Sequence, residues 1–324
     1  MTPDSDSAPS PPVRTGVVGV GSIGQNHARI YGALDSCHLT AIFDRDPDRA
    51  REFSEKYGGE VTHSLEEFAE LVDAASISTP TVTHREIASE LLTRGVHCLV
   101  EKPIADRTED AQAMVELAKE HDRLLQVGHI ERFNPVLSQL ESRLSDPKFI
   151  EVHRLSPFPN RSMDVGVVLD VMIHDLEIVL HLVRSPIAHL DAVGVPVLTA
   201  REDLANVRIR FKNGCVANIT ASRVSPEKLR KIRVFQHDTY LSLDYQEQAG
   251  KIYRKEGLQI IPEEVIVERD EPLKLELSSF VDCVARRERP KVSGAEAAAA
   301  LEVALEITKK IEEEGNPLNA PPSN

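Results

Sequence analysis

The feature that most constrains this chain is a glycine-rich stretch near its N-terminus, TGVVGVGSIGQNHA, at residues 15–28. A short apolar run leads into three glycines with the spacing G-x-G-x-x-G. This order is typical of a strand, a tight turn and a helix that opens at Ser22. Gly19 would permit the turn, Gly21 would let a pyrophosphate approach the backbone, and Gly24 would let the helix pack closely against the strand. A pyrophosphate would lie at the helix N-terminus, where N–H groups and the helix dipole favour an anion.

A second feature supports a dinucleotide site. Another apolar run, residues 39–43, ends at Asp44, about twenty positions beyond Gly24. An acidic side chain at the end of the second strand accepts hydrogen bonds from ribose hydroxyls and repels a 2′-phosphate, which favours NAD. Arg45 leaves NADP possible, because an arginine there can accept that phosphate. The alternative is a tight turn that binds nothing, with Asp44 capping a helix that starts near Pro47.

The composition indicates a soluble globular protein of two domains. The chain has 324 residues, 41% hydrophobic and 28% charged, and this length exceeds one ordinary α/β core. The net charge of −14 argues against binding of nucleic acid or of an anionic membrane, since phosphate contacts need a basic surface. No apolar run approaches membrane-spanning length. The four cysteines form no C-x-x-C pair, which is typical of reduced thiols in a cytoplasmic protein.

The order of apolar and polar segments predicts two different domains. From residue 13 to about residue 128, apolar runs alternate with amphipathic segments, which predicts a doubly wound α/β Rossmann domain over residues 13–129. Short strand-like runs then follow one another, which predicts an α+β domain over 130–315 with a large, mostly antiparallel sheet. One face of that sheet needs a cover, so a homo-oligomer, a dimer or tetramer, is expected to form through it. Residues 1–12 and 316–324 are expected to be disordered tails. Helices are expected at residues 46–57, 85–93, 108–121, 131–144, 169–184, 273–287 and 293–313, with a further helix opening at Ser64.

Two polar turns follow strands of the first domain, at the sheet edge where ligands bind in such folds. Thr79-Pro80-Thr81-Val82-Thr83-His84 follows one strand, and Glu101-Lys102-Pro103 follows the next. A lysine fixed there by a proline would point toward the nicotinamide, whereas the alternative is a solvated loop lysine. The expected cofactor-binding residues are Gly19, Gly21, Ser22, Ile23, Gly24, Asp44, Arg45, Thr79, Pro80, His84, Glu101 and Lys102.

A candidate for acid–base chemistry lies on the helix expected over 169–184. Asp170 and His174 are spaced i, i+4 and would share a face. An aspartate beside a histidine raises its basicity and orients it, as a general base acting on an alcohol requires. The alternative is a surface ion pair. A metal site of Asp170, His174, Glu177 and His181 is disfavoured, because that row spans three turns and one ion would reach only neighbouring members.

In this order, the glycine fingerprint, Asp44, Thr79-Pro80 with His84, Glu101-Lys102-Pro103 and the Asp170/His174 pair resemble the Gfo/Idh/MocA family of dehydrogenases, from about Val13 to Glu313. The resemblance implies NAD(P)-dependent oxidation or reduction of a hydroxyl on a sugar, cyclitol or nucleotide sugar. It also implies that Lys102 and His174 are the catalytic pair, assisted by Asp170. In this mechanism His174, polarised by Asp170, would take the hydroxyl proton, and Lys102 would hydrogen-bond the same oxygen and stabilise its developing negative charge. Which of the two is the formal base stays open.

Residues 127–135, VGHIERFNP, resemble a segment of family members that act on UDP-N-acetylglucosamine. This implies oxidation of the sugar 3-hydroxyl, for amino sugars of lipopolysaccharide or other surface polysaccharides. Arg132 could instead merely pair with Glu131 or another carboxylate. Two other functions remain open: a dehydrogenase of a free polyol or sugar such as inositol, and a nucleotide-binding protein without turnover. The expected substrate-binding residues are Arg132, Asn134, Arg161 and His174, with Arg154 and Arg223 as further cations for a diphosphate.

Overall fold

A computed structural model of the chain describes residues 11–158 and 165–314. These residues belong to two compact units. The first holds the chain up to Ala105, Glu109–Gly128 and Glu276–Gly294; the second holds Asp106–Thr108, His129–Leu275 and the chain from Ala295 on. The sequence analysis assigns all of 130–315 to the second domain, whereas Glu276–Gly294 pack with the first unit. One hydrogen bond that joins Glu276–Gly294 to the first unit runs from the Val127 N–H to the carbonyl of Val292, at 3.1 Å.

The first unit is a six-stranded, fully parallel sheet with the strand order β3-β2-β1-β4-β5-β6. This is the order of a doubly wound dinucleotide-binding fold, in which the ligand binds where the strand order reverses, next to β1 and β4. The expected α/β Rossmann fold is confirmed. Its elements are β1 Val13–Val18, α1 Gly24–Tyr31, β2 Cys37–Phe43, α2 Pro47–Tyr57, β3 Glu60–Val61, α3 Leu65–Leu71, β4 Ala74–Ile77, a 3-10 turn Thr81–Thr83, α4 His84–Thr93, β5 His97–Glu101, α5 Thr108–Glu120 and β6 Leu125–Gly128.

Local capping explains where the helices of this unit begin. Asp46 caps α2 by accepting hydrogen bonds from two N–H groups of its first turn, at 3.1 and 3.3 Å. Ser64 caps α3 by accepting from the Glu67 N–H at 3.1 Å. The cap of α2 is therefore Asp46 and not Asp44. Helix α1 begins at Gly24 rather than at the expected Ser22, because the residues before it form a turn.

The second unit is built on an eight-stranded sheet with the order β14-β13-β12-β11-β7-β10-β9-β8. Its strand pairs are antiparallel except that between β7 and β10, so the expected mostly antiparallel sheet is confirmed. Its elements are a 3-10 turn Ile130–Phe133, α6 Pro135–Glu141, β7 Phe149–Leu155, a π-helical turn Val168–Met172, α7 Ile173–Val183, β8 Ile187–Val195, β9 Leu204–Phe211, β10 Val216–Ser222, β11 Leu229–Gln236, β12 Thr239–Asp244, β13 Ala249–Glu256, β14 Gln259–Val265 and α9 Gly294–Glu314. Helix α8, Pro272–Arg286, begins in this unit, and its residues from Glu276 on belong to the first unit.

Two expected helices are interrupted near their starts. The helix expected over 131–144 is a 3-10 turn followed by α6, because Pro135 takes the first helical position and restricts the residue before it. Asn134 caps α6 by accepting from the Val136 N–H at 3.3 Å. The helix expected over 169–184 opens with one π-helical turn before α7 continues it. Single π turns of this kind occur frequently at functional sites.

One face of the second sheet carries a row of aromatic side chains. Phe149, Phe235, Tyr240 and Tyr253 lie on the neighbouring strands β7, β11, β12 and β13, with successive ring centroids 5.7, 4.5 and 5.0 Å apart. They alternate along their strands with buried aliphatic residues, so they belong to the opposite, half-exposed face. The sheet thus has one face in the core and one face with a stacked aromatic row.

Candidate active site

The glycine-rich turn between β1 and α1 combines close packing with one open position. Gly19 has φ +85°, and a Cβ there would lie 2.7 Å from Thr79 Cγ2, so the turns after β1 and β4 touch. At Gly24 a Cβ would lie 1.8 Å from the carbonyl oxygen of Gly19. A Cβ on Gly21, by contrast, would meet nothing within 4 Å. Packing therefore explains two of the glycines, whereas Gly21 borders open space.

The N-terminal end of α1 suits an anion. Its cap residue, Ile23, makes no side-chain hydrogen bond to the helix, and the first turn carries no acidic side chain. Ser22 and Ile23 are exposed. The positive end of the helix dipole is therefore not neutralised by an acidic side chain of its own first turn, as expected where a phosphate group binds.

Asp44 is held firmly beside this turn. Its Oδ2 accepts a hydrogen bond from the Val20 N–H at 2.9 Å, and its Oδ1 accepts from the Asp46 N–H at 2.9 Å. The guanidinium of Arg49 lies 3.6 Å from Oδ1. A carboxylate has about four acceptor positions, so these bonds orient Asp44 and leave capacity for ribose hydroxyls. Arg45 is exposed next to it.

His84 connects the turn after β4 to the turn after β5. Its Nε2 lies 2.9 Å from the carbonyl oxygen of Thr79, and its Nδ1 lies 3.1 and 3.2 Å from those of Pro103 and Ile104. Burial lowers the pKa of His84, an effect that the surrounding carbonyls oppose. Because both ring nitrogens face the main chain, the geometry favours a positioning role over the expected cofactor contact. Pro80, in the same turn, is exposed.

The Glu101-Lys102 pair ends β5 and rests on a buried histidine that the sequence did not single out. Glu101 Oε2 accepts from the Lys102 N–H at 3.2 Å, and Glu101 Oε1 lies 3.1 Å from His27 Nε2. A Cβ on Gly128 would lie 2.9 Å from the carboxyl group of Glu101, so a larger residue there would require that side chain to shift. Lys102 itself is half-buried. The lysine main chain is thus fixed by its neighbours in the first unit.

A second buried carboxyl group, Glu276 of α8, belongs to the same unit. Burial, reinforced by the charge of Glu101, raises the pKa of Glu276 well above its ordinary value. The side-chain amide of Gln126 donates to the main-chain carbonyl of Glu276 at 3.5 Å. Sequence reasoning missed Glu276, because one glutamate in an amphipathic helix looks like part of the solvated face.

The start of α7 carries the predicted acid–base residues. Asp170 lies in the π-helical turn, His174 lies in the first turn of α7, and both are half-buried. The π-helical turn lies between the start of this segment and His174, and the pairing of Asp170 with His174 stays a prediction. The ring of His174 contacts that of His129 edge to face, with centroids 5.5 Å apart and planes at 85°. His129 was missed, since a lone histidine after a strand carries no signal.

Three of the expected diphosphate-binding cations, Arg132, Arg154 and Arg223, are buried in ion pairs. Arg132 pairs with Glu177 at 2.6 Å and lies 3.7 Å from Glu141, which fits the alternative that it pairs with a carboxylate of the protein. Arg154 pairs with Asp175 and Glu131 at 2.7 and 2.8 Å. Arg223 pairs with Asp203 at 2.8 Å, and both side chains are fully buried. Asn134 is also buried and donates to the carbonyl of Tyr245 at 2.9 Å.

This burial bears on the expected substrate contacts. Guanidinium groups bonded to buried carboxylates have their charge matched within the protein, which favours a structural role for Arg132, Arg154 and Arg223. The substrate roles of Arg132 and Asn134 stay predictions. Arg161 lies outside the described residues. Burial lowers the pKa of Arg154, but Asp175 and Glu131 outweigh it and the net pKa is raised.

Three other findings bear on chemistry. Within residues 11–158 and 165–314, no group of three or more His, Cys, Asp or Glu side chains is arranged to hold a metal ion. All four cysteines are buried and none forms a disulfide. No helix in the described part of the chain has the length and apolar character needed to cross a membrane.

Comparison with protein families gives two consecutive matches. The model described as "Oxidoreductase family, NAD-binding Rossmann fold" matches residues 13–129. The model described as "GFO/IDH/MocA C-terminal domain" matches residues 137–239. The first match covers the glycine-rich turn, Asp44 and Lys102, so this part of the chain is an NAD-binding domain.

Several relatives match almost the whole chain. UDP-N-acetylglucosamine 3-dehydrogenase of Acidithiobacillus ferrooxidans is 35% identical over 308 residues, 93% of this chain and 97% of the relative. Its solved structure matches with a TM-score of 0.89 over 94% of this chain and 99% of that one. Myo-inositol 2-dehydrogenase of Thermotoga maritima is 29% identical over 333 residues, again 93% and 97% of the two chains. Levoglucosan dehydrogenase in complex with NADH and levoglucosan shares the fold, with a TM-score of 0.85 at 17% identity over 94% of this chain and 98% of that one.

Proposed function

Because the chain belongs to the Gfo/Idh/MocA family of NAD-binding oxidoreductases, we propose that it oxidises the 3-hydroxyl of UDP-N-acetylglucosamine. The observation that carries this proposal is the 35% identity, over 93% of the chain, to an enzyme with that name. An inositol-type dehydrogenase is the second candidate, since a myo-inositol 2-dehydrogenase is 29% identical over an equal share of the chain. A 3-keto nucleotide sugar would be the substrate for a transamination that leads to amino sugars of surface polysaccharides such as lipopolysaccharide.

In this proposal the first unit holds NAD through its main chain and one carboxylate. Gly21 leaves room for the pyrophosphate, and the N-terminus of α1, at Ser22 and Ile23, faces it. Asp44 accepts hydrogen bonds from the adenosine ribose, and its charge disfavours a 2′-phosphate. Arg45 is exposed and Arg49 is 3.6 Å from the carboxylate, so some NADP use is compatible with the site.

The proposed chemistry uses three side chains. His174 accepts the proton of the substrate hydroxyl, and Asp170 favours and orients the protonated ring that results. Lys102 donates a hydrogen bond to the same oxygen and stabilises its developing negative charge. Bound NAD supplies the acceptor for the hydride of the carbinol carbon. The reverse assignment takes Lys102 as the base.

The experiment is a panel of substrates followed by NADH absorbance. UDP-N-acetylglucosamine, other UDP-sugars, myo-inositol and free hexoses are each offered with NAD and with NADP. Turnover confined to UDP-N-acetylglucosamine is expected. Turnover of inositol or hexoses would favour the second candidate. NADH binding without turnover of any compound would contradict both.

Two substitutions test the roles of the proposed catalytic pair. Lys102→Ala and His174→Ala should each lower turnover by about a hundredfold or more and leave the affinity for NADH nearly unchanged. Matched controls are Lys251→Ala and His237→Ala, since both side chains lie on the exposed surface of the second unit. Wild-type turnover in either catalytic variant would remove that residue from the mechanism.

The aromatic row on the second sheet also supports the expected homo-oligomer. Phe149, Phe235, Tyr240 and Tyr253 form an apolar strip of neighbouring rings on a half-exposed face. Faces of this kind are covered in many proteins by a second copy of the same chain related by two-fold symmetry. We propose that this face packs against its equivalent in a dimer or tetramer.

A further inference from the structure

The segment His129–Asn134 includes the residues that the sequence analysis assigned to the substrate. The side chains of His129, Glu131, Arg132 and Asn134 are nevertheless buried, and Arg132 is only 1% exposed. A segment that binds a diphosphate would offer its cation to solvent and not to a buried carboxylate. The burial of these polar groups therefore calls for a different role.

Two residues of this segment contact helix α7 directly. His129 packs edge to face against His174, with ring centroids 5.5 Å apart. Arg132 Nη1 donates to Glu177 Oε1 at 2.6 Å. His174 and Glu177 are three positions apart on α7, so these contacts hold one side of its first turn.

A third connection runs through the strand β7. Arg154 binds Asp175 with two hydrogen bonds, Nε to Oδ2 at 2.7 Å and Nη2 to Oδ1 at 2.8 Å. Its remaining Nη1 donates to Glu131 Oε1 at 2.8 Å. This fork fixes the residue directly after His174 in position and in orientation, because a two-bond guanidinium–carboxylate pair allows little rotation.

We infer that His129, Glu131, Arg132 and Arg154, named here the α7 clamp, are positioning residues that hold His174 in the orientation required for proton transfer. The inference rests on the proposed function, since it takes His174 as the proton acceptor. The clamp contacts residues 174, 175 and 177, which together make up one helical turn. Contacts on three residues of one turn oppose both rotation and sliding of the helix.

The π-helical turn before α7 gives a physical reason for these contacts. Directly before α7, the Ile173 N–H bonds to the carbonyl of Val168, a wider loop than in an α-helix. This wider loop changes the helical register one residue before His174, so the direction of that side chain differs from the one a continuous α-helix would give it. External contacts then have to set the direction of His174. Buried ion pairs are a poor means of stabilising a fold but a precise means of fixing geometry.

The first test separates positioning from stability. The paired change Arg132→Met with Glu177→Leu removes a buried ion pair and replaces it with apolar groups of similar volume, which folds commonly tolerate. We expect normal folding, an unchanged KM for NAD and a kcat lowered by roughly tenfold to a hundredfold, because a displacement of about 1 Å at a reacting group has that effect. The matched control is Arg233→Met, which breaks a partly exposed pair with Glu151 on the sheet.

A second pair of variants tests the ring contact. His129→Phe keeps an aromatic ring against His174, whereas His129→Ala removes it. We expect the phenylalanine variant to retain kcat within about threefold and the alanine variant to lose about tenfold or more. Equal kcat values in both variants and the wild type would remove His129 from the clamp.

The decisive measurement is a double-mutant cycle with His174→Ala. If the clamp acts through His174, the Arg132→Met/Glu177→Leu change lowers kcat in the wild-type background and has less than about a twofold effect in the His174→Ala background. The same factor in both backgrounds, or a normal kcat in the folded clamp variant, would overturn the inference. All assays use whichever sugar the wild type oxidises, so failure with UDP-N-acetylglucosamine contradicts the proposed function and not the clamp.

Discussion

Gly21→Ala should separate cofactor binding from folding more cleanly than any other change in the glycine-rich turn. A Cβ at this position meets nothing within 4 Å, and the glycine does not need a positive φ. The free energy of unfolding without cofactor should therefore change by less than about 0.5 kcal/mol. The added methyl group occupies the space that the pyrophosphate needs, so the cost should appear only when NAD binds.

The size of that cost follows from packing. Inserting one methyl group into a filled space costs about 1–3 kcal/mol, which corresponds to a dissociation constant for NADH raised by about 5- to 150-fold. Gly24→Ala is the matched contrast, because its Cβ would lie 1.8 Å from a main-chain oxygen and would disturb the fold itself. Urea unfolding of the protein without cofactor and calorimetric titration with NADH measure the two effects. Wild-type NADH affinity in Gly21→Ala, or a loss of stability as large as that of Gly24→Ala, would refute the placement of the pyrophosphate.

Two further predictions concern the second unit. Burial raises the pKa of Glu177 to about 7 from its ordinary value of 4.5, so the folded protein retains a proton that the unfolded chain releases between these pH values. The free energy of unfolding should then fall as pH rises from 4.5 to 7, by at most about 1.4 kcal/mol per pH unit. Glu177→Gln should abolish this pH-dependent contribution. Identical pH slopes of the unfolding free energy, measured with urea for the wild type and the variant, would contradict the prediction. Tyr240→Glu places a charge in the aromatic row and should lower the molar mass measured by light scattering from that of an oligomer to that of a monomer, whereas an unchanged mass would exclude this face as the interface.

The sequence allowed the first unit to be predicted in detail because its signals are local. The glycine spacing, the cap of α3 at Ser64 and the acidic end of β2 at Asp44 each depend on residues a few positions apart. The alternation of strands and helices then leaves few possible topologies. What the sequence did not indicate was that Glu276, far along the chain, returns to this unit and buries a carboxyl group there. No local pattern distinguishes such a glutamate from an exposed one.

The ion pairs of the arginines in the second unit could not be predicted from the sequence, for the same physical reason. In a chain of net charge −14, an arginine within residues 127–135, the segment similar to enzymes that act on a nucleotide sugar, is a natural candidate for phosphate binding. Yet the partner of Arg132 lies 45 positions away in α7 and one partner of Arg154 lies 21 positions away, so only the tertiary fold shows that both charges are neutralised. This neutralisation also limits where substrate specificity can arise. Because moving Arg132 or Arg154 toward a ligand would leave Glu177 or Asp175 buried without a counter-charge, discrimination between a nucleotide sugar and a free polyol has to come from residues outside these pairs.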